Sequence, residues 1–370
     1  MISTPKYMDI VEWTKMQVKN EVFKINDKFL SETELGEKFN VSRQTVRRAL
    51  DVLEDQGLIT RVQGSGTYIS GLKQRSFVKT GGRSMTVGII STYLDNYIFP
   101  SIVRGVENVL SKGGYAVQLS STNNLVGMES RSLQFMLERQ VDGLIIVPTR
   151  SALPCANLDL YHTIMQSGIP IVFIDSYYSE LSVPFVALDD VAAGYMATQH
   201  LLSKGHRNIS GIFSHINRQG HLRYLGYAKA LIEYGIPIQE ERIFWYSKET
   251  LNQVLNGSSF MESLNTSTAA MCFNDHLALT LIDHLRQIGK NVPEDLSVIG
   301  IDNSELAKIS SLTSIEHPSE ELGQAAASLL LSIINGVEGT GVLFPPKLQV
   351  RSSVREVPDS KEKAHASILK

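Results

Sequence analysis

The sequence predicts an α/β protein in two unequal parts: an N-terminal winged helix-turn-helix and, behind it, a larger two-lobed, doubly wound domain. Three observations carry this. Residues 31–69 run in the order capping box, helix, tight turn, helix, hairpin. Beyond residue 85, short β-branched apolar runs alternate with helical patterns, which makes parallel sheets covered on both faces. That alternation fills two successive half-sequences, which suggests two lobes with a cleft between them.

Composition sets the outer limits. The chain has 370 residues, 43% of them hydrophobic, enough for a soluble core in two or three domains. No apolar run approaches the length of a membrane span, and the N-terminus has no apolar stretch of the signal-peptide kind. The two cysteines, Cys155 and Cys272, lack metal-ligand spacing and read as buried thiols in a reducing cytoplasm. Residues 1–83 carry 14 Lys/Arg against 10 Asp/Glu, and the remainder carries 21 against 28. A modestly basic head on an acidic body fits a head that faces phosphate.

In the head, Tyr7, Ile10, Val11, Met16 (or Thr14) and Val18 give a loosely helical apolar face, followed by Val22, Phe23 and Ile25. Ser31-Glu32-Thr33-Glu34 is a capping box. Leu35 and Phe39 share a face, and Asn40-Val41-Ser42 makes the turn. Ser42 caps the next helix, whose inner stripe is Val46, Ala49, Leu50 and Leu53. Its outer face holds Arg43, Gln44, Arg47 and Arg48. Leu58–Val62 and Thr67–Ile69 read as strands joined by Gln63-Gly64-Ser65-Gly66.

A helix-turn-helix lays its second helix in the DNA major groove. Arg43 and Arg47 are one turn apart and can both enter it; arginine pairs bidentately with guanine, and Gln44 could do so with adenine. Thr45, Lys6 and the wing residues Gln63, Gly64 and Gly66 suit phosphate or minor-groove contacts. The same charges could instead form a solvated helix face; the order of capping box, Val-Ser-Arg turn and Gly-x-Gly wing favours double-stranded DNA as partner.

Leu30-Ser31-Glu32, the run Val41 to Leu50, and Gln63-Gly64-Ser65-Gly66-Thr67 resemble the winged helix of the gluconate-repressor (GntR) family, although the proline usual after the leucine is missing. The resemblance implies DNA contacts at Arg43, Thr45, Arg47 and the wing around Gly66. Domain boundaries are expected at 1–70 for the winged helix, 71–84 for a flexible basic linker, 85–356 for the two-lobed domain and 357–370 for a disordered tail.

In the body, strands are expected at Thr86–Ser91, Ala116–Ser120, Gly143–Pro148, Pro170–Ile174, Ile209–Phe213, Ala269–Phe273 and Ser297–Ile301. Helices fall between them, among them Phe99–Lys112, Asp190–Lys204, His221–Tyr234, His276–Ile288 and Ser319–Gly336. The chain should cross between lobes near 187–190 and 314–317. Ligands bind outside the carboxyl ends of such strands. The candidates are therefore Ser91 to Phe99, Thr149-Arg150, Asp175-Ser176, Asn274-Asp275 and Asp302-Asn303. Asp, Asn, Arg and aromatic rings suit a sugar, whose hydroxyls need donors and acceptors and whose C–H face packs on a ring. Asp142 and His206 read as structural residues serving turns.

Val141-Asp142-Gly143-Leu144-Ile145, Arg223-Tyr224-Leu225-Gly226-Tyr227, Phe273-Asn274-Asp275 and the run Val292 to Asp302 resemble the effector core of the lactose/galactose-repressor (LacI/GalR) family and the periplasmic sugar-binding proteins. That implies a periplasmic-binding-protein-like effector domain with ligand contacts at Phe99, Asp175, Arg223, Asn274 and Asp302, and also at Thr149 and His317. With Ser91 to Gly105 and Ser120 to Asn124, the combination resembles the family of arabinose-utilisation repressors. By that match Lys6, Arg47 and Gln63 fall on DNA contacts and the effector is L-arabinose. The family implies a homodimer on palindromic operator half-sites, no cofactor, no membrane partner and a cytoplasmic, nucleoid-associated place. The residues alone stop at a small polar ligand. Another sugar remains open, as does a purine, which would want a second aromatic near Phe99, and Tyr97 stands close by. An enzyme fused to a GntR head, such as a pyridoxal-phosphate one, finds no support: the sequence has no Walker-type loop, metal triad or nucleophile elbow.

Overall fold

A computed structural model describes residues 6–19, 22–24, 27–55, 58–62, 66–69, 82–94 and 97–358. The chain divides into two units, residues 1–80 and 81–370.

The smaller unit holds α1 (Lys6–Lys19), α2 (Glu32–Phe39), α3 (Arg43–Asp55) and the antiparallel pair β1 (Ile59–Val62) and β2 (Gly66–Ile69). One apolar cluster closes it, with Ile10 and Val11 of α1, Leu35 of α2, Val46, Ala49, Leu50 and Leu53 of α3, and Ile59 and Ile69 of the hairpin. On α1 the buried partner of Ile10 is Thr14, whose hydroxyl donates to the Ile10 carbonyl at 2.7 Å. Met16 is 59% exposed. Four residues return to the same helix face; six do not. The capping box forms as read: Ser31 Oγ accepts from the Glu34 amide at 3.3 Å, and Glu34 Oε2 accepts from the Ser31 amide at 2.7 Å. Asn40, at φ 47°, ends α2 in the left-handed conformation that asparagine tolerates.

The larger unit runs β3 (Thr86–Ser91), α4 (Phe99–Leu110), β4 (Ala116–Ser121), α5 (Val126–Glu138), β5 (Gly143–Ile146), α6 (Leu158–Gln166), β6 (Ile171–Ile174), β7 (Phe185–Leu188), α7 (Asp190–Ser203), β8 (Ile209–Ser214), α8 (Arg218–Glu233), β9 (Ile243–Tyr246), α9 (Leu251–Leu255), α10 (Ser258–Thr266), β10 (Ala269–Cys272), α11 (Asp275–Gln287), β11 (Ser297–Asp302), α12 (Glu305–Ile309), β12 (Thr313–Glu316), α13 (Ser319–Ile334), β13 (Val342–Phe344) and β14 (Lys347–Gln349). Two six-stranded sheets result, in the orders β13-β7-β6-β5-β3-β4 and β14-β12-β11-β10-β8-β9. Every neighbouring pair is parallel except β12 with β14. The chain leaves the first sheet after Leu188, returns after Glu316 and leaves again after Phe344 through Pro345-Pro346. The last passage is one that the sequence pattern did not show.

Two helix pairs pack backbone against backbone. A Cβ on Gly105 of α4 would lie 2.1 Å from the Glu320 carbonyl oxygen, and one on Gly323 of α13 would lie 2.2 Å from that of Ile102. Gly194 of α7 meets the Arg223 carbonyl in the same way, also at 2.1 Å. Only glycine allows these approaches. Among the described residues no helix is long and apolar enough to cross a membrane.

Candidate effector cleft and DNA-reading face

In each sheet the strand order reverses beside its first strand: β3 lies between β4 and β5, and β8 between β9 and β10. Such switch points leave a crevice at the carboxyl ends of the strands. Here the crevices of the two lobes face each other across one cavity. From the first lobe it is lined by Thr92, Tyr93, Ile98, Phe99, Val147, Pro148, Ser151, Asp175 and Ser176, and from the second by Asn217, Gln219, Arg223, Phe273, Asn274 and Asp302.

Arg223 organises the second lobe's side. It is buried, donates from Nε to Asp190 Oδ1 at 2.7 Å, and stands 4.0 Å from Asp302 Oδ1. Its guanidinium also donates to the Phe273 carbonyl and lies 4.7 Å from the centre of that ring. On the first lobe's side, Asp175 Oδ2 accepts from Gln219 Nε2 at 3.0 Å, and Oδ1 lies 3.1 Å from His317 Nε2. Tyr97 donates its hydroxyl to Asp302 across the cleft. Asp175 and Asp302, which both line the cavity, take φ of 67° and 120°, backbone that side chains rarely adopt. Two buried atoms of lining residues, Ser176 Oγ and Gln219 Oε1, have no hydrogen-bond partner among the described residues. Buried polar atoms of that kind require a ligand or water.

Burial raises the acids. The Asp190 carboxyl is pushed up to about 6 by burial, with Arg223 opposing. Burial also raises Asp302, against the pull of Arg223 and His317. Asp275, behind the cavity, is pushed up to about 7 by burial and by the Asp302 charge; it accepts from Ser314 Oγ at 2.6 Å and from the Ser304 amide at 2.7 Å. His317 is raised: burial works against its charge, but the hydrogen bond and charge of Asp175 outweigh it. Burial and then Asp302 hold the Tyr97 phenol well above its ordinary value, so it stays a neutral donor. A carboxyl raised on folding adds stability that is present at low pH and lost as pH rises through the folded value. We therefore expect this unit to lose about 1 kcal/mol through Asp275 between pH 6 and 8, roughly 2–4 °C in melting temperature. Asp275→Asn should flatten that slope in a pH series of thermal melts; an unchanged slope would count against this ionisation.

The expected ligand contacts fall into three groups. Phe99, Asp175, Arg223, Asn274 and Asp302 line one cavity. Asn274 also caps α11, accepting from the Leu277 amide at 3.0 Å. His317 contacts Asp175 and lines an adjoining recess that shares Ile98 and Asp302 with this cavity. Thr149 is corrected: it is buried outside the cavity lining, its hydroxyl 3.0 Å from that of Thr122, its amide donating to Glu129 Oε1 at 3.0 Å. Ser151, two residues on, lines the cavity in its place. Sequence reasoning missed Asp190, Gln219 and Phe273 as site residues. Gln219 was findable, since it precedes Arg223 by one turn of α8. Asp142 accepts from the Ser84 and Met85 amides, and His206 contacts Thr268 Oγ1 and the Arg355 carbonyl, both structural roles.

In the smaller unit α3 presents Arg43 and Arg47 with side chains 74% and 61% exposed. Arg47 Nε donates to both oxygens of Glu32, at 3.0 and 3.1 Å. Gln44 is exposed. Ser42 caps α3 by accepting from the Thr45 amide at 3.3 Å, and the two hydroxyls lie 2.9 Å apart. Arg48 turns away from Arg47 and stacks on Tyr7, 4.8 Å from the ring centre. Gly66 opens β2 at φ 123°. Lys6 begins α1, but its side chain, like Gln63 and Gly64, lies outside the described residues.

Comparison with known proteins agrees with both halves. Residues 6–69 match the gntR family of bacterial regulatory proteins, and 198–354 match the periplasmic binding protein-like domain. The transcription regulator CcpA of Lactococcus lactis superposes with a TM-score of 0.66 at 27% identity, over 74% of this chain and 100% of its own. A LacI-family regulator from Enterococcus faecium, solved with bound ribose, does so at 0.62 and 29%, over 74% and 100%. Fold and site thus define a DNA-binding transcription repressor with a sugar-binding type of effector domain. Arabinose metabolism transcriptional repressors are 38% identical in Halalkalibacterium halodurans, over 96% of this chain and 98% of that one, and 36% identical in Geobacillus stearothermophilus, over 95% and 98%. The chain belongs to the family of arabinose metabolism transcriptional repressors.

Proposed function

We propose that this protein represses arabinose-utilisation genes in the cytoplasm by holding operator DNA, and that L-arabinose in the cleft between the lobes releases it. The observation that carries the reading is the cavity itself: Arg223 fixed between Asp190 and Asp302, Asp175 opposite, Phe99 in the wall, and Ser176 and Gln219 in the lining with Oγ and Oε1 left without a partner among the described residues. Carboxylates and a guanidinium give charge-assisted hydrogen bonds to hydroxyls, and the ring takes the C–H face. The names of the two full-length relatives direct the choice of sugar. Phe99, Asp175, Arg223, Asn274 and Asp302 are the effector contacts on this reading, with His317 orienting Asp175.

On the DNA side, Arg43, Gln44 and Arg47 read bases, while Thr45, Lys6, Gln63, Gly64 and Gly66 hold the backbone; Ser42 acts as the cap that sets α3 in place. A homodimer on palindromic half-sites about one helical turn apart suits this kind of head. Leu306 and Ile309 on α12, 57% and 80% exposed, offer apolar surface for it.

A gel shift on the promoter upstream of its own gene tests this, with L-arabinose, D-xylose and D-galactose in parallel. A shift abolished by L-arabinose alone is the expected result. A shift indifferent to every sugar would discard arabinose and keep the DNA reader.

A further inference from the structure

Two helices run from the cleft to the place where the larger unit receives the chain from the winged helix. α13 starts at the cleft: His317 lies 3.1 Å from Asp175 through Nε2, and 2.7 Å from Ser319 Oγ through Nδ1. α4 starts with Phe99 in the cavity wall. The glycine contacts Gly105–Glu320 and Gly323–Ile102 leave the two helices no slack, so they move as one. Over its 16 residues α13 carries that contact roughly 24 Å, to Ile334.

At that far end sits Arg83. Its Nη2 donates to the Ile334 carbonyl at 3.1 Å and to Asn335 Oδ1 at 3.0 Å, and Nη1 donates to the Tyr115 hydroxyl at 3.4 Å. A helix C-terminus leaves carbonyls unpaired and carries negative partial charge, so a guanidinium is a fitting cap. The next two residues are tied to a different element: the Ser84 and Met85 amides donate to Asp142, just before β5. Of these ties, the one made by Arg83 comes first in the chain after the winged helix, and it alone holds a helix whose other end touches the cleft. The guanidinium is exposed, so the contact is weak in itself. A weak contact can change partners at small cost when the helix shifts.

We propose that Arg83 is a positioning residue for the allosteric response: it passes displacement of α13 at the cleft to the segment leading to the winged helix. This rests on the reading of the cleft as the effector site and of the head as the DNA reader. Coupling of this sort is a ratio of affinities and is reciprocal.

The test uses the full-length protein, operator binding by fluorescence anisotropy with and without saturating L-arabinose, and arabinose binding by calorimetry. For Arg83→Ala we expect sugar-free operator affinity and arabinose affinity within about threefold of wild type, while the sugar-induced loss of operator affinity shrinks about tenfold. Operator DNA should then weaken arabinose binding less, by the same factor. Arg83→Lys, which keeps a cation at the helix end, should recover part of the response. A purely structural role would lower both affinities or the melting temperature and leave the ratio alone. If the alanine variant loses its cooperative melt, Asn335→Ala, which removes only an exposed acceptor, provides the same comparison. An unchanged ratio in variants that fold overturns the proposal. A wild type that binds operator but ignores arabinose overturns the effector reading instead, and this inference with it.

Discussion

The Arg223→Ala protein is expected to hold operator DNA as wild type does and to stay there in the presence of L-arabinose. Arg223 is a cationic donor in the cleft lining, and its geometry is set by Asp190, by the Phe273 carbonyl and by the Phe273 ring. Truncating one member of a buried charge pair costs several kcal/mol in binding, so arabinose affinity should fall by about 100-fold or more. The change also strands Asp190 and Asp302 as buried carboxylates without their cation, a penalty that can reach ~3–5 kcal/mol of stability. Arg223→Ala combined with Asp190→Asn removes part of that burden and separates lost binding from lost folding. Calorimetry on both variants decides the matter. Arabinose affinity near the wild-type value in either would remove Arg223 from the site.

Arg47→Ala is the second large effect. In the free protein Arg47 is held by Glu32 of the preceding helix, with both carboxylate oxygens within 3.1 Å, and otherwise projects from the outer face of α3. An arginine bidentate to guanine contributes ~1–3 kcal/mol of discrimination, so operator affinity should fall roughly 5- to 150-fold while binding to scrambled DNA changes little. Anisotropy titrations on operator and scrambled duplexes at two salt concentrations distinguish the roles. Equal weakening on both, with a salt slope reduced by about one, would make Arg47 a phosphate contact.

Much of the molecule is legible in its sequence. The Ser31–Glu34 capping box, the inner stripe Val46, Ala49, Leu50, Leu53, and the strand Thr86–Ser91 are local patterns, and each appears where the pattern places it. Thr14 was harder, because a threonine enters a core only when its hydroxyl finds a carbonyl, here that of Ile10. The strands β7, β9 and β12 escaped the reading although β5, β6 and β10 are just as short: those three are buried at every position and read as unbroken apolar runs, whereas β7, β9 and β12 each include partly exposed positions. In the cleft, residues that follow strands could be named from topology alone, as Asp175, Asn274 and Asp302 were. Asp190 was not, since its role exists only because Gly194 lets α8 settle against α7 and delivers Arg223 beside it. Thr149 misled because it, too, follows a strand, but its side chain turns to Thr122.

The path of the chain through the two sheets bears on how such proteins can be rebuilt. The smaller unit is one uninterrupted stretch, whereas each lobe of the larger one is assembled from separated segments, the first sheet taking its edge strand Val342–Phe344 from near the end of the described chain. Recombination at a single breakpoint near residue 80 exchanges one whole reader for another. A single breakpoint between residues 190 and 340 instead yields a chimera in which both lobes are hybrid. Operator specificity is thus free to be swapped by cut and paste, while effector specificity must change by point substitution within an interlocked body.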